Sequence, residues 1–157
     1  MPLSVCSETG LPVVPLWIDG EAATSSLETF PVHSFKLQKD VYAAQSADTE
    51  LATLAADVSL RAFQNWRTTS SEFRRDLLLK AADIFERRIS EVVSCQVEET
   101  SCEITWASFN VTYGLTVMRE IASRTTAVLG ELPSTGSGAN IALVIKEPIG
   151  PSLLIAP

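Results

Sequence analysis

The sequence predicts an α/β fold that is rich in helix, with short strands and a C-terminal β-hairpin. Three observations carry this. Apolar residues recur at spacings of three and four through most of residues 48–129, the period of one-sided helices. Short β-prone runs bounded by turn residues flank that stretch on both sides. The chain has 157 residues, 46% of them apolar and 20% charged, which suits one ordinary packed unit rather than a disordered segment.

Residues 1–14 read as a flexible lead, broken by Pro2 and Pro12 and without a basic region. The stretch is therefore read as neither a secretory signal nor an Arg-rich transit peptide. Leu16-Trp17-Ile18 followed by Asp19-Gly20-Glu21 is a hairpin signal, because Gly20 supplies the positive φ of a tight turn. Thr29 to Tyr42, with Phe30, Val32, Phe35, Leu37 and Val41 in broken alternation, reads as one or two short strands.

Four helices follow. From Asp48, a candidate N-cap, Leu51, Leu54, Ala55, Val58, Ala62, Phe63 and Trp66 share one face as far as Arg67. Thr69-Ser70-Ser71-Glu72 reads as a capping box, leading a helix over 70–89 with Phe73, Leu77, Leu78, Ala81, Ile84 and Phe85 on its apolar side. Arg87 and Arg88 close it where cations suit the helix dipole. A shorter helix spans 90–100. A fourth spans 103–129, with Trp106, Phe109, Tyr113, Val117, Ile121 and Val128 as its packed side and Gly130 as its C-terminal stop. After the connector Leu132 to Gly138, strands are expected at 141–147 and 152–156 around a Pro/Gly turn. The last run is continuous rather than alternating, as in a strand buried on both faces of a parallel sheet. It therefore reads as a cut through an α/β core, the alternative being an antiparallel hairpin with 141–146.

Twelve basic against 19 acidic residues give a net charge of −7. This argues against a nucleic-acid partner and against an anionic membrane surface. No apolar run approaches the roughly 20 residues of a membrane span. Three cysteines, Cys6, Cys95 and Cys102, cannot all pair within one chain and fit a reducing, cytoplasmic setting. Cys95 and Cys102 lie seven apart, on one face if the helix were continuous. Cys102 is the better candidate thiol because it lies near a helix start, while a packed core residue is the alternative for both. His33, the only histidine, has no acidic or thiol partner near it in sequence and reads as a surface residue; a metal site would need more ligands. Gly136-Ser137-Gly138 reads as linker, since residue 141 is Ile and a strand follows where a phosphate loop needs a helix. Glu98, Glu99 and Glu103 read as a solvated helix face. Phe63, Trp66, Trp106, Phe109 and Tyr113 read as a packed helix interface.

The ordered set of segments resembles the aldehyde dehydrogenase superfamily. Pro15-Leu16-Trp17-Ile18-Asp19-Gly20-Glu21 is similar to its opening strand, Ala62-Phe63-Gln64-Asn65-Trp66 to its "AF-x-x-W" helix end, and Glu98-Glu99-Thr100 to its "E-x-E-T" segment. The helix carrying Arg75, Leu78, Leu79, Lys80, Ala81, Ala82 and Asp83 is similar to its second helix. Lys146-Glu147-Pro148-Ile149-Gly150 with Leu154-Ile155-Ala156-Pro157 is similar to its "(R/K)-E-P-(I/V)-G … I-x-P-W-N" pattern. Ser101 stands where "E-T-G" is usual, and Pro151-Ser152 where valine is. Trp106-Ala107 with Phe109-Asn110 resembles members that act on aromatic aldehydes such as salicylaldehyde or vanillin.

The resemblance implies an N-terminal fragment of the aldehyde dehydrogenase fold. Residues 15–157 would be part of its N-terminal, cofactor-domain region, with an oligomerisation arm at about 139–149. Family chemistry is thiolate attack on an aldehyde, hydride transfer to NAD or NADP, and hydrolysis of the thioester to a carboxylate. The family's nucleophilic Cys, general-base Glu and oxyanion-stabilising Asn match no residue here, so the resemblance assigns no catalytic, cofactor-binding or metal residue. It implies a chain that does not catalyse the reaction alone and binds no cofactor by itself. The partners it implies are further copies of this chain or a full-length aldehyde dehydrogenase, for which the chain would be a non-catalytic binding or regulatory partner.

Overall fold

The computed structural model describes residues 4–6, 9–23, 28–136, 138 and 140–155. It is mixed α/β, with four helices and short strands. Two small sheets precede the helices. In the larger, β1 (Ser4–Val5), β2 (Pro12–Val14), β6 (Lys39–Gln45) and β5 (Thr29–Ser34) lie in the order β1-β2-β6-β5. The smaller is a hairpin of β3 (Leu16–Ile18) and β4 (Glu21–Ala23). Ile18 pairs with Glu21, leaving Asp19 and Gly20 as a two-residue turn at φ +56° and +77°. Two successive positive φ values are the conformation whose twist matches a tight hairpin, so the Asp-Gly reading holds. The Thr29–Tyr42 region is two antiparallel strands, with a register shift between Val32 and His33.

Strands β1 and β2 were not announced by the patterning. β2 runs parallel to β6, with Val13 opposite Ala43 and both buried. A parallel pairing joins segments far apart in sequence and leaves no local turn signal to find.

The helices are α1 (Thr49–Trp66), α2 (Ser71–Arg87), α3 (Ile89–Thr100) and α4 (Ile104–Arg124). Asp48 caps α1, its carboxylate accepting from Leu51 N at 2.8 Å. The cap of α2 is Ser70, which accepts from Phe73 N at 3.1 Å. The capping box is therefore shifted by one: Glu72 occupies the second helical position, and its carboxyl is held below the ordinary value by backbone and Ser71 hydrogen bonds. α4 stops earlier than predicted, passing into a 3-10 turn over Thr125–Ala127. Gly130 serves a different purpose from a helix stop. A side-chain carbon there would lie 2.6 Å from the Val144 carbonyl oxygen, so glycine permits the close bridge between Glu131 and Val144.

The packed face of α4 is not the aromatic one. Ala107, Val111, Leu115 and Ala122 are buried, while Trp106, Phe109, Tyr113, Ile121 and Val128 are exposed. α4 has two apolar faces, and the small-residue face is the one against α2 and α3, where Ala82 and Val93 are also buried. Small side chains let helix axes approach closely. No residue of α1 is buried.

The C-terminal hairpin is not clearly shown. Among the described residues, 141–155 forms no ladder; Val144 alone pairs, with Glu131 and not with the 152–155 run. Pro148 and Pro151 cannot donate to a ladder, and Gly150 between them sits at φ +119°. Ala156 and Pro157 lie outside the described residues. Among the described residues no helix is long and apolar enough to cross a membrane.

Candidate functional site

The chemistry-bearing side chains are dispersed. Cys95 and Cys102 do not share a helix face: α3 ends at Thr100, Ser101 turns left-handed at φ +58°, and Cys102 lies in the connection before α4. Cys102 is half-buried against the cluster of Val93, Ala107 and Val111, the environment of a packing cysteine rather than an activated thiolate. Cys95 is exposed. Cys6 is half-buried beside the Thr29 hydroxyl at 3.8 Å.

His33 has the acidic partner the sequence reading missed. Its Nδ1 lies 2.8 Å from Asp40 Oδ1, across the β5–β6 hairpin, and its ring meets Phe35 edge-on at 5.2 Å. The pair is exposed on both sides, so it contributes little to stability. Its signal was the hairpin register, which sets residues 33 and 40 opposite one another.

Glu98, Glu99 and Glu103 form no acid/base pair. Glu98 accepts from Ser94 at 3.3 Å. Glu99 is instead hydrogen-bonded to the Tyr42 hydroxyl of β6, whose pKa is driven well above its ordinary value by burial first and by that carboxylate second. This contact ties the sheet to α3. A second charged tie joins α4 to α2, with Arg119 2.6 Å from Glu86 and 3.3 Å from Asp83.

Trp66, Trp106, Phe109 and Tyr113 fall into two separate exposed groups. Trp66 of α1 meets Phe73 of α2 edge-on at 6.3 Å. On α4, Trp106, Phe109 and Tyr113 form a ladder with successive centroids 5.9 Å apart, the second pair stacked at 10°. Their exposures are 56%, 58% and 61%. They are not the packed interface predicted for them; they offer a row of ring faces to solvent. A cavity of about 680 Å³ opens between α1, at Phe63 and Trp66, and Gly150 to Ser152.

Among the described residues no three His, Cys, Asp or Glu side chains are grouped to hold a metal. Gly136 takes a φ of +65° in an irregular segment, while Ser137 of the Gly-Ser-Gly run lies outside the described residues. A dinucleotide pyrophosphate sits on open backbone N–H groups at a helix N-terminus, and of the four here only α3, behind Arg88, combines a cationic N-cap with no side-chain cap bond. Here the N-caps are Asp48, Ser70, Arg88 and Glu103. Two are carboxylates that repel phosphate, and the α1 and α2 ends are already capped by their own side chains.

Residues 21–157 match the aldehyde dehydrogenase family. The salicylaldehyde dehydrogenase of Pseudomonas putida is 32% identical over 142 residues, covering 90% of this chain and 28% of that enzyme. The vanillin dehydrogenase of Pseudomonas sp. (strain HR199 / DSM 7063) is 33% identical over 145 residues, covering 92% and 30%. The crystal structure of a salicylaldehyde dehydrogenase from Pseudomonas putida G7 complexed with salicylaldehyde superposes with a TM-score of 0.82 at 28% identity, over 88% of this chain and 29% of that one. The chain thus spans less than a third of the length of these relatives.

Proposed function

Because the chain belongs to the aldehyde dehydrogenase family, we propose that it supplies the N-terminal, cofactor-domain part of an enzyme that oxidises an aromatic aldehyde to its carboxylate with NAD or NADP. Residues 15–157 form that part, and about 139–149 the arm through which copies associate. The observation that carries this reading is the joint agreement of sequence and fold with salicylaldehyde dehydrogenase. The exposed ring ladder of Trp106, Phe109 and Tyr113 supports the aromatic preference, since stacked ring faces favour a flat aryl group.

In this reading no residue of the 157 carries out the chemistry. NAD or NADP, when bound by the full enzyme, would supply the hydride acceptor, with water as the source of the second carboxylate oxygen. Cys102 is packed against the core, with no carboxylate or imidazole bonded to its thiol among the described residues, so it lacks the base an acyl-transfer nucleophile requires. The chain by itself leaves aldehydes unoxidised.

The test has two arms. The purified chain, incubated with NAD+ or NADP+ and with salicylaldehyde, vanillin or an aliphatic aldehyde, gives no reduced cofactor. A chimera carrying residues 15–157 in place of the matching segment of the Pseudomonas putida enzyme turns over and prefers the aromatic substrates. A folded chimera without activity, or turnover by the isolated chain that vanishes in Cys102→Ala, counts against the reading.

One observation favours a second reading, a non-catalytic partner of a full-length aldehyde dehydrogenase. Ile141, Leu143 and Ile145 are 85%, 72% and 77% exposed, an apolar run able to add to another chain's sheet edge. Co-elution of the chain with such an enzyme, abolished by deleting 139–157, supports it; separate elution overturns it.

A further inference from the structure

The cleft enclosed by the C-terminal end of α1, the first turn of α2, the last turn of α4 and residues 146–148 gathers cations within an acidic chain. Its volume is about 610 Å³, inside the roughly 300–1,000 Å³ of small-ligand sites. Arg67, Arg74, Arg124 and Lys146 line it, against a single carboxylate, Glu147. The whole chain carries 12 basic and 19 acidic residues, so the local sign is the reverse of the global one. A concave surface lined by one sign of charge focuses its field.

Most of that charge is uncompensated. Arg74 is half-buried, and its Nη1 donates to the Thr69 carbonyl at 2.6 Å and the Thr69 hydroxyl at 3.2 Å. Those acceptors are neutral, so they orient the guanidinium without cancelling its charge. The guanidinium of Arg67 lies 5.6 Å from the centre of the Phe63 ring. Among the described residues neither Arg67 nor Lys146 makes an ion pair. Arg124 alone is paired, with Glu120 at 2.7 Å, a carboxylate outside the cleft wall. The rest of the wall includes Trp66, which offers an apolar surface beside the cations.

We propose that this cleft binds a small organic oxyanion bearing at least two negative charges, its headgroup held by Arg67, Arg74 and Lys146 and its apolar body laid against Trp66. The charge count sets the valence. Three unpaired cations face one carboxylate, which leaves two positive charges for the ligand to meet. A monoanion satisfies only half of that and still meets Glu147. The pre-oriented fork of Arg74 favours a headgroup with paired oxygens, which phosphate and carboxylate share. The proposal does not depend on the aldehyde chemistry, in which none of these residues is assigned a part; Lys146, Glu147 and Pro148 lie in the segment assigned above to association.

The test uses the full chain in a Trp17→Phe, Trp106→Phe background, so that Trp66 reports alone. Phenyl phosphate supplies the phosphate arm, phthalate the dicarboxylate arm and benzoate the monoanion comparison. Saturable change in Trp66 emission with either dianion, at least about ten-fold tighter than with benzoate and weakened by salt, supports the site. Whichever dianion binds identifies the headgroup. Arg67→Ala with Lys146→Ala removes two exposed cations that make no hydrogen bond with another side chain among the described residues, and is expected to weaken binding about ten-fold or more while the circular dichroism is unchanged. Lys36→Ala with Lys39→Ala makes the same change in net charge elsewhere and is expected to leave binding intact. The proposal is overturned by no saturable response to either dianion, by benzoate binding equally well, or by an equal loss in the Lys36/Lys39 control.

Discussion

Residues 71–124 and residues 131–155 are both rich in large apolar side chains, yet they meet water very differently. The helical stretch buries Ala82, Val93, Ala107, Val111, Leu115 and Ala122. The later stretch buries nothing among its described residues, and Ile149, Leu153, Leu154 and Ile155 are 83–100% exposed. Hydropathy does not separate them; backbone hydrogen bonding and side-chain size do. A helix satisfies its own backbone groups, so α2, α3 and α4 need only shape to pack, and alanine and valine supply it at their contacts. An extended segment must find a ladder partner before its side chains can be covered, and here, among the described residues, only Glu131 and Val144 pair, with each other.

The comparison is most sharply tested by equal substitutions on its two sides. Leu115→Ala, at a position 5% exposed, is expected to cost about 2–5 kcal/mol. Leu154→Ala, at 89% exposed, should stay within about 0.5 kcal/mol. Urea midpoints measure both, and similar losses would break the distinction. Association behaviour tests the same contrast. The unladdered apolar run of 141–155 is a template for strand pairing between chains, so the full chain is expected to elute as oligomers on size exclusion. Deletion of 139–157 is expected to shift it toward monomer; a monomeric full chain would contradict the account.

Caps sharpen the point within the helices themselves. Asp48→Ala and Ser70→Ala each remove a side-chain bond to an N-terminal amide, worth about 1 kcal/mol locally. α1 has no buried residue, so its loss should appear as faster amide exchange confined to residues 49–53. α2 is packed against α4, so Ser70→Ala should lower the global unfolding midpoint as well.

The Tyr42–Glu99 tie between sheet and helix gives a pH signature. Burial and the carboxylate raise the folded-state pKa of Tyr42 above its unfolded value of 10.0. A raised pKa means full stability below the unfolded value, lost as pH climbs toward the folded one. The structure is therefore expected to loosen above about pH 10, starting where β6 meets α3. Tyr42→Phe should remove that part of the alkaline transition, as followed by near-ultraviolet circular dichroism.

What could be read from the sequence was what local chemistry writes. Asp48, the Asp19-Gly20 turn and the 3.6-residue spacing placed the four helices and the first hairpin within a few residues. What could not be read depended on distant partners. Val13 against Ala43 is a parallel pairing with no turn to announce it. On α4 the larger aromatic face outweighed the small-residue face in the pattern, though the small one is buried. The candidate site residues suffered likewise. A left-handed Ser101 broke the helix supposed to align Cys95 with Cys102, and the partners of His33 and Tyr42 came from strand register and tertiary packing.

Ser101 gives the smallest expected effect and the most informative one. Its φ of +58° is a conformation in which a Cβ costs roughly 1–2 kcal/mol and glycine nothing, and the family resemblance puts glycine at this position. Serine brings something glycine cannot: its Oγ accepts from Lys36 N at 2.8 Å, pinning the β5–β6 turn to the end of α3. Such a bond contributes about 0.5–1.5 kcal/mol. Ser101→Gly thus relieves strain, loses the bond and gains unfolded-state entropy of about 0.4–1 kcal/mol, so the net change should stay within about 0.5 kcal/mol. Ser101→Ala keeps the strained Cβ and loses the bond, so it should cost about 1 kcal/mol. The Gly-minus-Ala difference in urea midpoint then measures the left-handed strain less that unfolded-state entropy. If both variants lose the same amount, the strain stored at residue 101 is no larger than that entropy of about 0.4–1 kcal/mol.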